Sequence, residues 1–283
     1  MEAIAGAGGL LKVELRSPEG ARAEVYLHGA HLSSWVPAGG SEAIFLSKAA
    51  KFGPAYAIRG GIPVVFPQFS GLGPLPKHGF ARTQAWEIAG SGSPAQVTLA
   101  LRDSALTRGI WPHAFLAELS IEIAGQRLAA RLSILNTDKA PFGFSAALHS
   151  YLRVADVERA RLSGLQGVKY RNREPWDEIQ TQAAEELSIA GEVDRVFMDS
   201  PPSLRLVDPV PGRTMRISQK GFRDTVVWNP GRELAADLSE FEPSEYREML
   251  CVEAAQVMHP VALPPGQRWE GRQEVEIEQD SNL

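Results

Sequence analysis

Apolar and polar residues alternate with period two along several stretches of this chain, the pattern of extended strands with one buried face. Ala21-Arg22-Ala23-Glu24-Val25-Tyr26-Leu27, Gln96-Val97-Thr98-Leu99-Ala100-Leu101 and Ala117-Glu118-Leu119-Ser120-Ile121-Glu122-Ile123 all follow it. Leu128 to Asn136 continues the alternation after Ala124-Gly125-Gln126, which predicts a hairpin turn and antiparallel pairing. Trp269 to Glu278 alternates again, so the last strand is expected inside a sheet rather than as a tail. Helical signals are sparse. Glu174 to Leu187 has the Glu, Gln and Ala content for a turn or two, without a long stripe of period 3.6. The pattern predicts an all-β chain, a large antiparallel β-sandwich of two sheets packed face to face.

Arg59 to Arg82 interrupts this regularity with a run dense in Gly and Pro. Proline removes backbone donors and glycine favours unusual dihedrals, so the run is expected to be a structured loop beside a site. Length and composition set the frame around it. With 283 residues, 44% of them hydrophobic, one large core can be buried, and residues 1–283 read as a single catalytic domain. The formal charge of −5 gives no general attraction to a polyanion, so no nucleic acid partner is expected. Cys251 is the single cysteine, which excludes an intramolecular disulfide and a zinc site built on several thiolates, and fits a cytoplasmic location. The first residues lack the basic start and apolar run of a secretory signal, and charges interrupt every hydrophobic segment before it approaches membrane-spanning length, so no membrane partner is expected.

Two residues stand out on chemical grounds. His149 lies in the alternation Ala147-Leu148-His149-Ser150-Tyr151-Leu152 and is expected to share a face with Tyr151. Glu253 follows the apolar run Leu250-Cys251-Val252, where a carboxylate needs a reason to be buried. Each also has a plainer explanation: a histidine satisfied by hydrogen bonds, a carboxylate capping a strand end, and for Asp194 a surface ion pair with Arg195.

Ile58-Arg59-Gly60-Gly61-Ile62-Pro63-Val64-Val65-Phe66-Pro67, followed by His78-Gly79-Phe80-Ala81-Arg82, resembles the paired signature of the glucose-6-phosphate 1-epimerases, a branch of the aldose 1-epimerase superfamily. Four later segments stand in the order that family has: Leu148 to Leu152, Val193 to Phe197, Asp224 to Pro230, and Met249 to Glu253. The resemblance implies a β-sandwich of the galactose mutarotase type, acting on a hexose phosphate as a monomer, with no cofactor and no metal. It also implies residue roles: His149 as general acid, Glu253 as general base, Asp194 and His78 as sugar contacts, and Arg59, Lys77 and Arg82 around the phosphate. The family pattern has Gln where this chain has Lys77, and Pro-Gly where it has Ala254-Ala255.

Such chemistry suits these residue types. Interconverting anomers means removing the proton of the C1 hydroxyl while protonating the ring oxygen, then reversing both on the other face of C1. A histidine and a carboxylate can each hold either protonation state near neutral pH. Arginine forks match phosphate oxygens, and a lysine adds a mobile point charge. Arg171 and Arg173 read as surface charges, His28 and His31 as structural, and Cys251 as a small buried apolar residue. Trp228 could stack on a sugar or fill the core. The rival readings are a mutarotase of unphosphorylated aldoses, a non-catalytic carbohydrate-binding protein, and a glycosidase, which needs two suitably spaced carboxylates.

Overall fold

The structure, a computed structural model, describes residues 1–173 and 175–278. Its strands form three sheets among the described residues, and all the registered strand pairs are antiparallel. The alternating stretches become strands Arg22–Tyr26, Gln96–Arg102, Phe115–Ala124, Arg127–Asn136 and Arg268–Glu278. Gly125 makes the expected turn with φ of 54°. Arg268–Glu278 pairs on one side with Arg127–Asn136 and on the other with Arg213–Lys220, so the chain's last strand is interior to a nine-stranded sheet.

The sandwich forms where this sheet meets an eight-stranded one centred on Met249–Leu263, which is flanked by Asp224–Asn229 and by Phe142–Leu148. Phe115, Ala117, Leu119, Ile121 and Ile123 are buried from one strand of the larger sheet, and Leu128, Ala130, Leu132 and Ile134 from the next. Leu250, Val252 and Ala254 belong to the same apolar cluster from the smaller sheet. Each large aliphatic side chain buried in this way contributes about 1.5–3 kcal/mol. A buried bridge ties the layers: Gln273 donates to the carbonyl of Val252 and accepts from the Ser150 hydroxyl.

Two expectations are corrected. Ile4–Ala5, Leu11–Arg16, Arg22–Tyr26 and His31–Val36 form a third, four-stranded sheet of their own. Alternation reports which face of a strand is buried and carries no information on which sheet it joins. The helical turn expected over residues 174–187 is replaced by strands Ile179–Thr181 and Glu186–Ser188, which edge the eight- and nine-stranded sheets (Glu174 lies outside the described residues). Pairing with Lys169–Asn172 and Arg161–Ser163 outweighs the helical propensity of this Glu- and Gln-rich stretch.

The Gly/Pro run docks on strand Phe142–Leu148 and on the break that follows it, where His149 and Ser150 separate it from Tyr151–Arg153 instead of continuing one alternating strand. Val64–Val65 pairs with Ala147 and Leu148, Pro63 accepts the His149 N–H at 3.0 Å, and Gly61 accepts the Tyr151 N–H at 3.0 Å. Gly60 and Gly61 have φ of 100° and 67°, and a Cβ at Gly61 would lie 2.2 Å from the His31 ring. The double glycine therefore lets the backbone turn and approach closely enough to set Arg59 beside Tyr151.

Candidate active site

Three adjacent strands of the eight-stranded sheet place their side chains in cross-strand rows. Asp194 lies opposite Trp228, which lies opposite Cys251, and Val196, Val226 and Glu253 form the next row two residues along. Side chains opposite one another in an antiparallel pair point to one face, so Asp194, Trp228 and Glu253 emerge on the side away from the sandwich core. Beside them lies a small apolar cluster of Val65, Phe69, Ala147, Val196, Val226, Ala255 and Val257.

The cavity on this face has a volume of about 240 Å³. His149, Glu253, Arg59, Lys77, His78 and Asp194 all line it, so six of the seven residues singled out in the sequence converge. Arg82 is not in its wall but stands next to it, donating to the Lys77 carbonyl at 2.9 Å. Trp228 is a wall residue, edge-on to His149 at 6.1 Å and to Tyr151 at 5.9 Å between ring centroids. Tyr151 stacks on the His149 ring at 4.8 Å and 9°, which fixes the imidazole plane.

At the floor, His149 Nδ1 and Glu253 Oε1 approach to 3.2 Å without forming a hydrogen bond. Glu253 is 1% exposed, its Oε2 has no hydrogen-bond partner among the described residues, and the residue lines the cavity. Burial pushes the Glu253 carboxyl well above the usual range, with the Asp194 charge adding to the effect. It pushes the His149 imidazole down, helped by the positive charges of Arg82 and Arg59. His78 is also held neutral, mainly by burial and then by His149 and the nearby cations. Its Nδ1 accepts from the Ser70 N–H at 3.3 Å, which leaves the ring proton on Nε2 as a donor.

The rim is cationic. The Lys77 amine is pushed below its ordinary range by desolvation and then by Arg173, Arg82 and Arg59, while Asp194 pulls the other way. Arg173 is an exposed charge, as read from the sequence, and it also lines the cavity; its backbone N–H donates to the Asp194 carbonyl at 2.9 Å. Nothing local places it there in the sequence, because only pairing of the preceding strand, Lys169–Asn172, with Val193–Phe197 brings it to the cavity. Arg59 is oriented by the Tyr151 hydroxyl at 3.3 Å and by Glu240 at 3.5 Å. Asp194 has its carboxyl raised to about 6, mainly by burial, against the attraction of Arg173.

His149, Cys251 and Glu253 offer ligand atoms within 4.8 Å of one another, the one metal-capable group of this kind among the described residues. The donor set fits a cation poorly. Burial drives both the Cys251 thiol and the Glu253 carboxyl to hold their protons, and three arginines and a lysine surround the site. His28 and His31 are buried away from the wall, His28 bonded to the Tyr56 carbonyl at 2.7 Å.

The sequence and the fold are similar to those of known proteins. Residues 11–276 match the aldose 1-epimerase family model, and the chain belongs to that family. A relative from Cenchrus ciliaris, provisionally named a glucose-6-phosphate 1-epimerase, is 36% identical over 96% of this chain and 86% of its own length. One of the same provisional name from Escherichia coli is 30% identical over 83% and 79%. A crystal structure from Salmonella typhimurium, provisionally titled a mutarotase, superposes with a TM-score of 0.86 at 25% identity, covering 99% of this chain and 97% of that one. The fold is that of the galactose mutarotase-like proteins. Among the described residues no helix is long and apolar enough to cross a membrane.

Proposed function

We propose that this member of the aldose 1-epimerase family interconverts the α and β anomers of hexose 6-phosphates, with His149 and Glu253 as its acid–base pair. The observation that carries the reading is the approach of His149 to Glu253 at the floor of a cavity ringed by cations. Ring opening starts from the imidazolium–carboxylate state. Glu253 takes the proton of the C1 hydroxyl, His149 gives one to the ring oxygen, and the C1–O5 bond breaks to an aldehyde. After rotation about C1–C2 both transfers run backwards and close the ring on the other face. The pair carries one proton throughout, so a single arrangement serves both directions. Its neutral state, which burial favours, accompanies the open chain.

Charge balance supports a phosphorylated substrate. Arg59, Lys77, Arg82 and Arg173 face two carboxylates, Asp194 and Glu240, which leaves two positive charges in excess. A phosphate monoester carries about −1.5 to −2 at neutral pH and offsets them. Arg82 and Arg59 are also the charges that depress His149, so a dianion bound among them favours the imidazolium that ring opening needs. Phosphate in this reading both binds the substrate and arms the acid. Asp194 and the His78 Nε2–H hold sugar hydroxyls, and no step calls for a cofactor.

Saturation-transfer NMR of anomer exchange tests the proposal directly. Glucose 6-phosphate is expected to exchange much faster than free glucose or galactose under the same protein. Equal acceleration of all three removes the phosphate from the reading, and binding without acceleration removes the catalysis.

A further inference from the structure

We propose that Lys77 is a covalent capture site for unphosphorylated aldoses, its ε-amine adding to the C1 aldehyde released when the ring opens in this cavity. The inference rests on the ring-opening reading above. Its structural basis is placement: Lys77 shares the cavity wall with His149 and Glu253, and Arg59, Arg82 and Arg173 gather around it. Arg82 is fixed beside it by the hydrogen bond to the Lys77 carbonyl. An amine partly desolvated in a cavity wall and then crowded by other cations loses its proton more readily, which is how proteins obtain a nucleophilic lysine. The side chain is exposed at the rim, so an aldehyde can reach it, and solvent screens part of the effect of its neighbours. Asp194 is the carboxylate that opposes them.

The chemistry is self-contained. The Nζ lone pair bonds to C1 as the carbonyl oxygen takes up a proton, giving a carbinolamine, and loss of water leaves an imine. Transfer of the C2 proton to C1 and of the C2 hydroxyl proton to nitrogen then converts the imine to a ketoamine, with nothing oxidised or reduced overall. A phosphate dianion among the cations restores the proton on Lys77 and blocks the attack. The site is thus protected while it holds a hexose phosphate and vulnerable to sugars that lack one.

The test incubates the whole protein with D-glucose or glycolaldehyde in the presence of cyanoborohydride, whose hydride reduces the imine to a stable secondary amine, and maps the product by peptide mass spectrometry. Lys77 is expected to be labelled about fivefold to tenfold faster than the exposed Lys139 and Lys169, with inorganic phosphate abolishing the difference. Lys77→Arg keeps the cation and should remove the adduct. Labelling of Lys77 no faster than Lys139 and Lys169 overturns the proposal, and so does fast labelling that phosphate leaves unchanged. His149→Ala separates the two readings. It should slow capture of glucose, whose ring must open, and spare capture of glycolaldehyde, which has no ring. Undiminished glucose capture in that variant sinks the role of His149 while the glycolaldehyde result still decides on Lys77.

Discussion

Glu253 at the floor of the cavity and Lys77 at its rim are both driven toward their uncharged forms by desolvation first and like charge second, but they differ in how far they are sealed from solvent. For Glu253, which is buried in the cavity wall, the cause is burial, with the Asp194 charge second. For Lys77, whose side chain reaches solvent, partial desolvation is the largest cause and three arginines add like charge to it. The difference separates two tasks. Groups tuned by burial keep their protonation until a substrate offers a proton partner, which suits acid–base chemistry. Groups crowded by like charge respond to any arriving anion, which suits recognition.

The contrast breaks most visibly at the floor. Removing the imidazole in His149→Ala, or the ionisable carboxyl in Glu253→Gln, should slow catalysed anomer exchange by about 10²–10⁴-fold for every sugar, with circular dichroism unchanged. A wild-type rate in either variant ends the assignment. At the rim, Arg59→Gln with Arg82→Gln should raise KM for glucose 6-phosphate by about 10- to 100-fold, a charge-assisted hydrogen bond being worth about 1.5–3 kcal/mol, and leave KM for free glucose nearly unchanged. The same pair of changes should raise the His149 pKa in an NMR titration, because both cations oppose its protonation. An unmoved pKa would show that rim and floor are electrostatically separate.

Asp194 lies between the two regimes, and its carboxyl is raised from 3.8 to about 6. The folded state therefore holds this proton more tightly than the unfolded chain. Its contribution to stability is fully present below pH 3.8 and lost as pH rises through about 6. Asp194→Asn should accordingly be more stable than the parent at pH 8, by about 1–3 kcal/mol, and the gap should close by pH 4 in denaturant melts. A constant gap across that range denies the raised carboxyl. The smallest effect is expected at Arg173, exposed at the mouth. Arg173→Gln should lower kcat/KM for glucose 6-phosphate by about twofold to fivefold and flatten its dependence on salt. Equal salt dependence in parent and variant takes Arg173 out of substrate capture.

Much of this was legible in the chain. Alternation located the strands because side chains on a pleated strand report their own burial, as most of Phe115–Ala124 does, while Arg127–Asn136 is buried on much of both faces. The motif residues His149, Glu253, Asp194, Arg59, Lys77 and His78 were named in advance, and the fold brings them to one cavity. Arg173 was read as a surface charge, and its place in the cavity wall was not legible because its neighbours in sequence, Asn172 and Lys169, give no hint of the strand beside which they would lie. The edge strands within residues 174–187 were missed because their composition favours helix and only their partners make them extended.

Sequence by itself determined the period of the strands, the double glycine that admits a tight turn at Gly60 and Gly61, and the supply of one imidazole, one carboxyl and several cations. These are local properties, fixed by side-chain chemistry and backbone freedom. Tertiary structure alone decided that Val226 and Glu253 share a row, that His149 comes within 3.2 Å of that carboxyl, and that four cations from three parts of the chain crowd one rim. Burial and like-charge crowding depend on what lies within a few ångströms in space, and residues a hundred positions apart become neighbours only when the sheets assemble.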